Sequence, residues 1–356
     1  MRVLVTGCAG FIGSHLLDRL LAREDVSIIG WDPDETRIAH LRDHPRLIHR
    51  RQRLGSEDTL DALEADMAGC DWVVNLAAIC NPSLYNTEAL RTIHVNLFEA
   101  YPPIAMAARL GCRLVHFSTS EVYGRTIASY LNNPEAQDPA LYTLDADNSP
   151  MIMGPVRNQR WTYATAKQMI ERLIYAHHIE EGLAFAVVRP FNFFGPRMDY
   201  LPGIEGEGLP RVLPMFLAAM LREQPMKLVD GGAAKRTITS IHDAIDALLA
   251  ILDQPERSLG HFYNIGNPAN EVTMRDLALA MRRAFVRVTG QARFAEHPII
   301  DVASADFYGP GYEDSDRRIM DISAESARLG WHPSRDLDSL LDETVDWYWS
   351  RYGTGS

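Results

Sequence analysis

Tyr163 and Lys167 stand four residues apart in Arg160-Trp-Thr-Tyr163-Ala-Thr-Ala-Lys167, so on a helix they share one face, one turn from each other. A phenol and an ammonium both titrate near pH ~10 in isolation. A fixed ammonium beside a phenol favours the phenolate and draws its pKa toward neutrality, which makes a general base for a substrate hydroxyl. The same spacing arises on helices by chance, where a core tyrosine and a solvated lysine are the common outcome. The surrounding motifs decide between the two.

The apolar run Val3-Leu-Val breaks at Gly7, and Gly7-Cys-Ala-Gly10-Phe11-Ile12-Gly13 leads into the helical pattern of Ser14-His-Leu-Leu. Strand, glycine-rich turn and helix N-terminus in that order form a pyrophosphate cradle. Glycines admit close backbone approach, and the free N–H groups favour negative charge. The next strand ends in Asp32, nineteen positions after Gly13. A carboxylate there hydrogen-bonds the adenosine ribose and repels a 2′-phosphate, which favours NAD over NADP. Arg37, which would favour a 2′-phosphate, is read as a solvated helix residue.

These groups need a scaffold. Apolar runs at Val26–Trp31, Asp71–Ala78, Arg113–Ser120 and Leu183–Pro190 alternate with helical patterns, including Thr87–Ala108 and Tyr163–His178. Strands alternating with helices give an α/β fold with a Rossmann-type doubly wound parallel sheet. After Pro190 the texture turns to loops, then to further helices at Asp243–Leu252 and after the cap Thr273. The expected division is a NAD-binding domain over 1–190, to which 233–255 return. A smaller C-terminal substrate lobe is then built from 191–232 and 256–350.

The net charge of −12 excludes a typical nucleic-acid binder. The four cysteines have neither metal-ligand spacing nor a disulfide framework, so no metal is expected. No apolar run approaches the ~18 residues of a membrane span, and no signal segment opens the chain, so a cytoplasmic location is expected.

Four motifs, Thr6–Gly13, Asn75-Leu76-Ala77-Ala78, Ser118-Thr119-Ser120-Glu121-Val-Tyr-Gly124 and Tyr163-x-x-x-Lys167, resemble an extended short-chain dehydrogenase/reductase of the nucleotide-sugar kind. Within that group the chain resembles the UDP-glucuronate decarboxylases: UDP-apiose/UDP-xylose synthases and the decarboxylase domain of the bacterial aminoarabinose-pathway enzyme. The segments Ala77–Pro82, Gln159–Tyr163, Arg189–Asn192, Gly195–Arg197, Lys227–Gly232 and Tyr308–Arg318 carry this.

The resemblance implies a reaction. Tyr163 takes the C4 hydroxyl proton of UDP-glucuronate while NAD⁺ takes the hydride. The resulting 4-ketone lies β to the carboxylate, CO₂ leaves, and UDP-xylose or UDP-4-keto-pentose follows. It implies catalytic roles for Tyr163, Lys167, Thr119, Ser120, Glu121 and Arg318, with Arg317 competing for the last. Phe11, Ile12, Leu76, Ala77 and Ala78 join the glycines, Asp32, Tyr163 and Lys167 as NAD contacts. The expected substrate contacts are Cys80, Pro82, Tyr85, Arg160, Asn192, Arg197, Arg211, Lys227, Arg236 and Tyr308. Arg189 and Arg236 are candidates for the UDP pyrophosphate or uridine ribose, or for structural ion pairs. The glycine-rich 203–211 loop is expected over the sugar.

Ser120 stands where dehydratases of this kind carry an acid and where apiose-forming enzymes carry a second cysteine, which counts against both activities. Cys80 is expected to be a buried, inert thiol. Arg53-Leu54 replaces the side chains that usually meet the adenine. The rivals are a UDP-glucuronate 4-epimerase and a non-catalytic dinucleotide-binding regulator. The resemblance also implies a homodimer through a four-helix bundle of the 87–108 and 163–178 helices.

Overall fold

The computed structural model describes residues 1–55, 57–133, 135–206, 210–308 and 313–353. Seven strands form one sheet: β1 (Arg2–Thr6), β2 (Ser27–Trp31), β3 (Leu47–Arg50), β4 (Trp72–Asn75), β5 (Arg113–Phe117), β6 (Phe185–Pro190) and β7 (His261–Ile265). Their order is β7-β6-β5-β4-β1-β2-β3, and every pairing is parallel. The sheet is covered on both faces, which is why its central strands are apolar throughout. Side chains alternate between the faces. Val3, Val5, Val74 and Val115 meet helices Phe11–Leu21 and Ile241–Asp253. Leu4, Val73 and Leu114 meet helices Glu57–Met67, Pro102–Leu110 and Thr162–Glu181. The winding direction reverses between β1 and β4, and a crevice opens at the carboxyl ends there.

A second apolar core joins helices Val212–Leu221, Met274–Thr289 and Leu337–Tyr352 to the parallel strands Met226–Val229 and Ile299–Val302. Thr273 caps its helix, accepting from the Asp276 N–H at 3.0 Å. A small four-stranded sheet is ordered 271–273, 235–237, 317–320, 143–144. Two of its strands carry Arg236 and Arg318 to the crevice.

Three sequence expectations need correction. The helix expected over Thr87–Ala108 is broken into Ala89–Ile93, a π-helical turn His94–Glu99 and a new helix Pro102–Leu110. Pro102 and Pro103 lack the N–H groups that would continue a helix, but they suit the start of one. Strand β3 was not visible in the pattern, because Leu47-Ile-His-Arg is only half-buried at the sheet edge. Strand β7 falls inside the range assigned to the smaller lobe; the chain returns to the main sheet to form it.

Candidate active site

The crevice at the β1/β4 reversal is a cavity of about 610 Å³. Its floor is the glycine turn. Gly7 sits in the left-handed region at φ +67°, and a β-carbon there would stand 2.9 Å from the Ala77 nitrogen. A β-carbon on Gly13 would lie 2.3 Å from the Gly7 oxygen. The turn therefore packs against its own helix and the end of β4 with room only for hydrogen. Gly10 begins helix Phe11–Leu21 without a side-chain cap, so the first-turn N–H groups face the cavity. The Thr6 hydroxyl accepts from the Leu76 and Ala77 N–H groups at 3.1 and 3.3 Å, which holds the Leu76–Ala78 backbone along the wall. Asp32 accepts from Ala9 and Asp34 N–H groups, both at 3.0 Å, and burial raises its carboxyl. This tight backbone cradle with a carboxylate at its far end fits a dinucleotide.

Arg37 also lines the cavity, but it is not simply solvated: it donates to the Arg197 and Met198 carbonyls at 2.9 and 3.3 Å. Arg53 is held by Glu99 at 3.2 and 3.3 Å, and Leu54 lines the wall beside it.

Tyr163 and Lys167 face the cavity from helix Thr162–Glu181. Burial pushes the phenol well above its ordinary value; Cys80 and Glu121 add to this, and a hydrogen bond with Thr119 opposes it. Burial lowers Lys167 to about 8, while Cys80 and Glu171 pull it back up. Its ammonium donates to the Phe117 carbonyl at 2.8 Å. One of its N–H groups is thus tied to the end of β5. Tyr85 stacks on Tyr163.

Thr119 follows β5 and accepts from the Glu121 N–H at 3.1 Å, so Thr119, Ser120 and Glu121 form a tight turn along the wall. Glu121 holds Arg160 through both oxygens, at 2.7 and 3.2 Å. Arg160 is buried behind it and does not line the cavity, so this expected substrate residue acts on the site from behind Glu121. Opposite, Arg318 bonds Asp314, and Arg236 shares that carboxylate at 2.8 Å. Burial works against the Asp314 charge, yet Arg236, Arg318 and Arg160 overcome it and hold the carboxyl well below its usual range. Arg211 is clamped to Asp199 at 2.8 Å through two nitrogens.

Strand alternation separates Arg317 from Arg318. Arg317 pairs with Glu271 at 2.6 Å and lies over the Tyr142 ring, whereas Arg318 lines the cavity. Cys80, Pro82, Tyr85, Asn192, Arg211 and Arg236 also line it. Cys80 is open to the cavity rather than buried in the core, although the enclosure raises its thiol.

Other expected contacts lie elsewhere. Arg197 turns to Asp18 at 2.7 Å and His15 at 2.9 Å, tying its loop to helix Phe11–Leu21. Lys227 points outward from its strand, between buried Met226 and Leu228. Arg189 forms a buried pair with Glu171 at 2.7 and 2.9 Å and donates to the Tyr123 hydroxyl at 2.8 Å, so it is structural. The Tyr308 side chain, residues 309–312 of its motif and residues 207–209 of the glycine-rich loop lie outside the described residues. Sequence reasoning missed Asp199, Asp314 and Glu171. Asp314 had a signal, lying four residues before Arg318 in the same motif. Asp199 and Glu171 find their arginines only through the fold.

Among the described residues no group of His, Cys, Asp or Glu could hold a metal, and no helix is long and apolar enough to cross a membrane.

A parallel sheet with a glycine cradle at its reversal point and a Tyr–Lys pair across the crevice defines a dinucleotide-dependent enzyme of the short-chain dehydrogenase type. The family model described as the NAD dependent epimerase/dehydratase family matches residues 3–266, and the chain belongs to that family. NAD is accordingly the dinucleotide that the cradle takes. The UDP-D-apiose/UDP-D-xylose synthase 1 of Arabidopsis thaliana is 45% identical over 362 residues, covering 99% of this chain and 92% of the plant protein. The PbgP3 protein of Burkholderia pseudomallei superposes with a TM-score of 0.83 at 31% identity, covering 99% of this chain and 97% of its own. The UDP-glucuronic acid 4-epimerase of Bacillus cereus shares the fold, with a TM-score of 0.78 at 22% identity over 99% and 100% of the two chains.

Proposed function

We propose that the chain is an NAD-dependent UDP-glucuronate decarboxylase. The observation that carries this is the meeting of Thr119, Tyr163 and Lys167 with an arginine cluster at one end of the cavity. A base beside a hydride acceptor oxidises a hydroxyl, and guanidiniums recognise a sugar that carries a carboxylate. The likeness to a UDP-apiose/UDP-xylose synthase supports the same substrate.

The positive charges of Lys167 and of bound NAD⁺ would favour the Tyr163 phenolate, which takes the proton of the C4 hydroxyl with Thr119 bonded to the reacting oxygen. NAD⁺ supplies the acceptor for the C4 hydride and, reduced, the donor for its return, so it is recycled. The C4 ketone stands β to the carboxylate. The C5–carboxylate bond breaks, CO₂ departs, and the electron pair passes into an enolate. The hydroxyls of Thr119 and Tyr163 stabilise its oxygen. A water held by Glu121 delivers the proton that C5 requires, and Arg318 orients the carboxylate. Reduction then gives UDP-xylose; release before reduction gives UDP-4-keto-pentose. Apiose formation is the second reading, favoured by the exposure of Cys80 to the cavity and opposed by Ser120.

The assembly proposed is a homodimer. Leu90 and Phe98 on the broken helix and Met169 and Ile179 on Thr162–Glu181 are exposed apolar side chains that a four-helix bundle would cover. Four free cysteines fit the reducing cytoplasm. The division proposed is a NAD-binding domain, which residues 261–265 rejoin, and a sugar lobe, with the cavity between them.

The test is incubation with UDP-glucuronate and NAD⁺, followed by mass spectrometry and NMR. Loss of CO₂ to a UDP-pentose is expected. Unchanged substrate, or inversion at C4 alone, would overturn the assignment.

A further inference from the structure

The charged groups at the arginine end of the cavity form a connected set. Arg236 and Arg318 are register partners on adjacent parallel strands, so they project side by side. Asp314 sits between them, bonded to both guanidiniums. Glu121 holds Arg160, and this second pair also acts on Arg318. Among the described residues the set comprises three guanidiniums (Arg160, Arg236, Arg318) and two carboxylates (Glu121, Asp314), an excess of one positive charge.

That arrangement bears on a difficulty in the chemistry. A uronate must be recognised by its carboxylate, yet the carboxylate must leave as neutral CO₂. A guanidinium offering its whole fork would stabilise the ground state more than the transition state and slow the loss.

We propose that Asp314 is a positioning residue that limits how firmly Arg318 and Arg236 grip the substrate's carboxylate. It occupies part of each fork and fixes the two side chains in register, and among the described residues the set keeps one net positive charge for an anionic sugar. This rests on the uronate reading above and goes beyond it in assigning the discrimination to a carboxylate of the protein.

The experiment compares wild-type enzyme and Asp314→Asn, each loaded with NAD, by calorimetric titration with UDP-glucuronate and with UDP-glucose. The two ligands share the nucleotide and differ in the carboxylate, so the ratio of their affinities isolates it. In Asp314→Asn the ratio is expected to shift about tenfold toward UDP-glucuronate, the size of a close charge-pair change. KM for UDP-glucuronate should fall together with kcat, whereas a merely structural lesion raises KM. An unchanged or falling ratio in folded Asp314→Asn overturns the proposal.

If that variant does not fold, Arg236→Gln decides. It leaves Asp314 to Arg318 alone, and the ratio should move about tenfold the other way; a ratio that stays or rises overturns the proposal. Wild-type enzyme with no preference for UDP-glucuronate would instead sink the uronate reading. A wild-type preference with unmoved variants would sink only the role of Asp314.

Discussion

Tyr85 stacks face to face on Tyr163, with 4.8 Å between ring centroids and 11° between planes. Tyr85 is itself buried on a short helix, Pro82–Thr87, whose start is capped by Asn81. The ring that sequence reading assigned to the substrate thus also sets the plane of the phenol that does the chemistry.

Two substitutions separate that support from the chemistry. Tyr163→Phe keeps the stack and loses the hydroxyl, so kcat should fall by about 10²–10⁴ with an unchanged melting temperature. Tyr85→Leu keeps the hydroxyl and loses the stack, worth about 0.5–1.5 kcal/mol, so kcat should fall no more than about tenfold. Initial rates of UDP-pentose formation decide. A Tyr163→Phe enzyme retaining a tenth of its activity would remove Tyr163 from its role.

Lys167 gives a pH signature. Its folded value, about 8, lies below the ordinary 10.5. Below pH 8 both folded and unfolded chains carry the proton, and burial of the charge costs stability. Between about 8 and 10.5 the unfolded chain holds more protons, so this group's contribution to stability rises with pH across that window. Denaturant midpoints at both ends should show a rise that Lys167→Met loses. The rate profile should bend near pH 8, and Lys167→Arg should remove the bend.

Arg189 and Glu171 form the buried pair that fastens β6 to the helix bearing Tyr163 and Lys167. Glu171→Ala strands a buried guanidinium and should cost about 3–5 kcal/mol in chemical denaturation. A double replacement by methionine should cost less, because no charge is left unpaired. KM for the nucleotide sugar should hardly move in the double variant; a large rise would return Arg189 to the substrate site.

Gly13→Ala puts a methyl group 2.3 Å from the Gly7 oxygen, a contact that backbone must move to relieve. Protein purified from this variant should carry at least about tenfold less NAD than wild type, measured after denaturing release. Gly10→Ala meets only the Gly7 oxygen, at 3.1 Å, and should lose less. Equal NAD content in all three proteins would contradict the cradle.

The sequence showed what depends on short-range order. The glycine turn, Asp32, the Tyr163–Lys167 pair and five of the sheet strands rest on local patterns, and they stand where expected. What it hid depends on partners distant in the chain. Arg197 was a substrate contact by resemblance and Arg189 either an anion binder or a structural ion pair; only the fold shows Asp18 and Glu171 opposite them. Strand alternation would have separated Arg317 from Arg318 had the strand Arg317–Met320 been recognised, but it pairs with segments 82 and 176 residues away. The edge strand β3 has too little apolar character to announce itself.

Strand β7 is made only after the seventy residues 191–260 have followed β6. During synthesis, β6 waits with one side of its backbone unpaired, in a segment of Phe-Ala-Val-Val that the finished protein buries completely. A nascent or truncated chain ending near residue 255 presents that strand as a sticky margin. The last parallel pairing of the nucleotide-binding sheet thus closes the open edge of β6 only once residues 261–265 are in place.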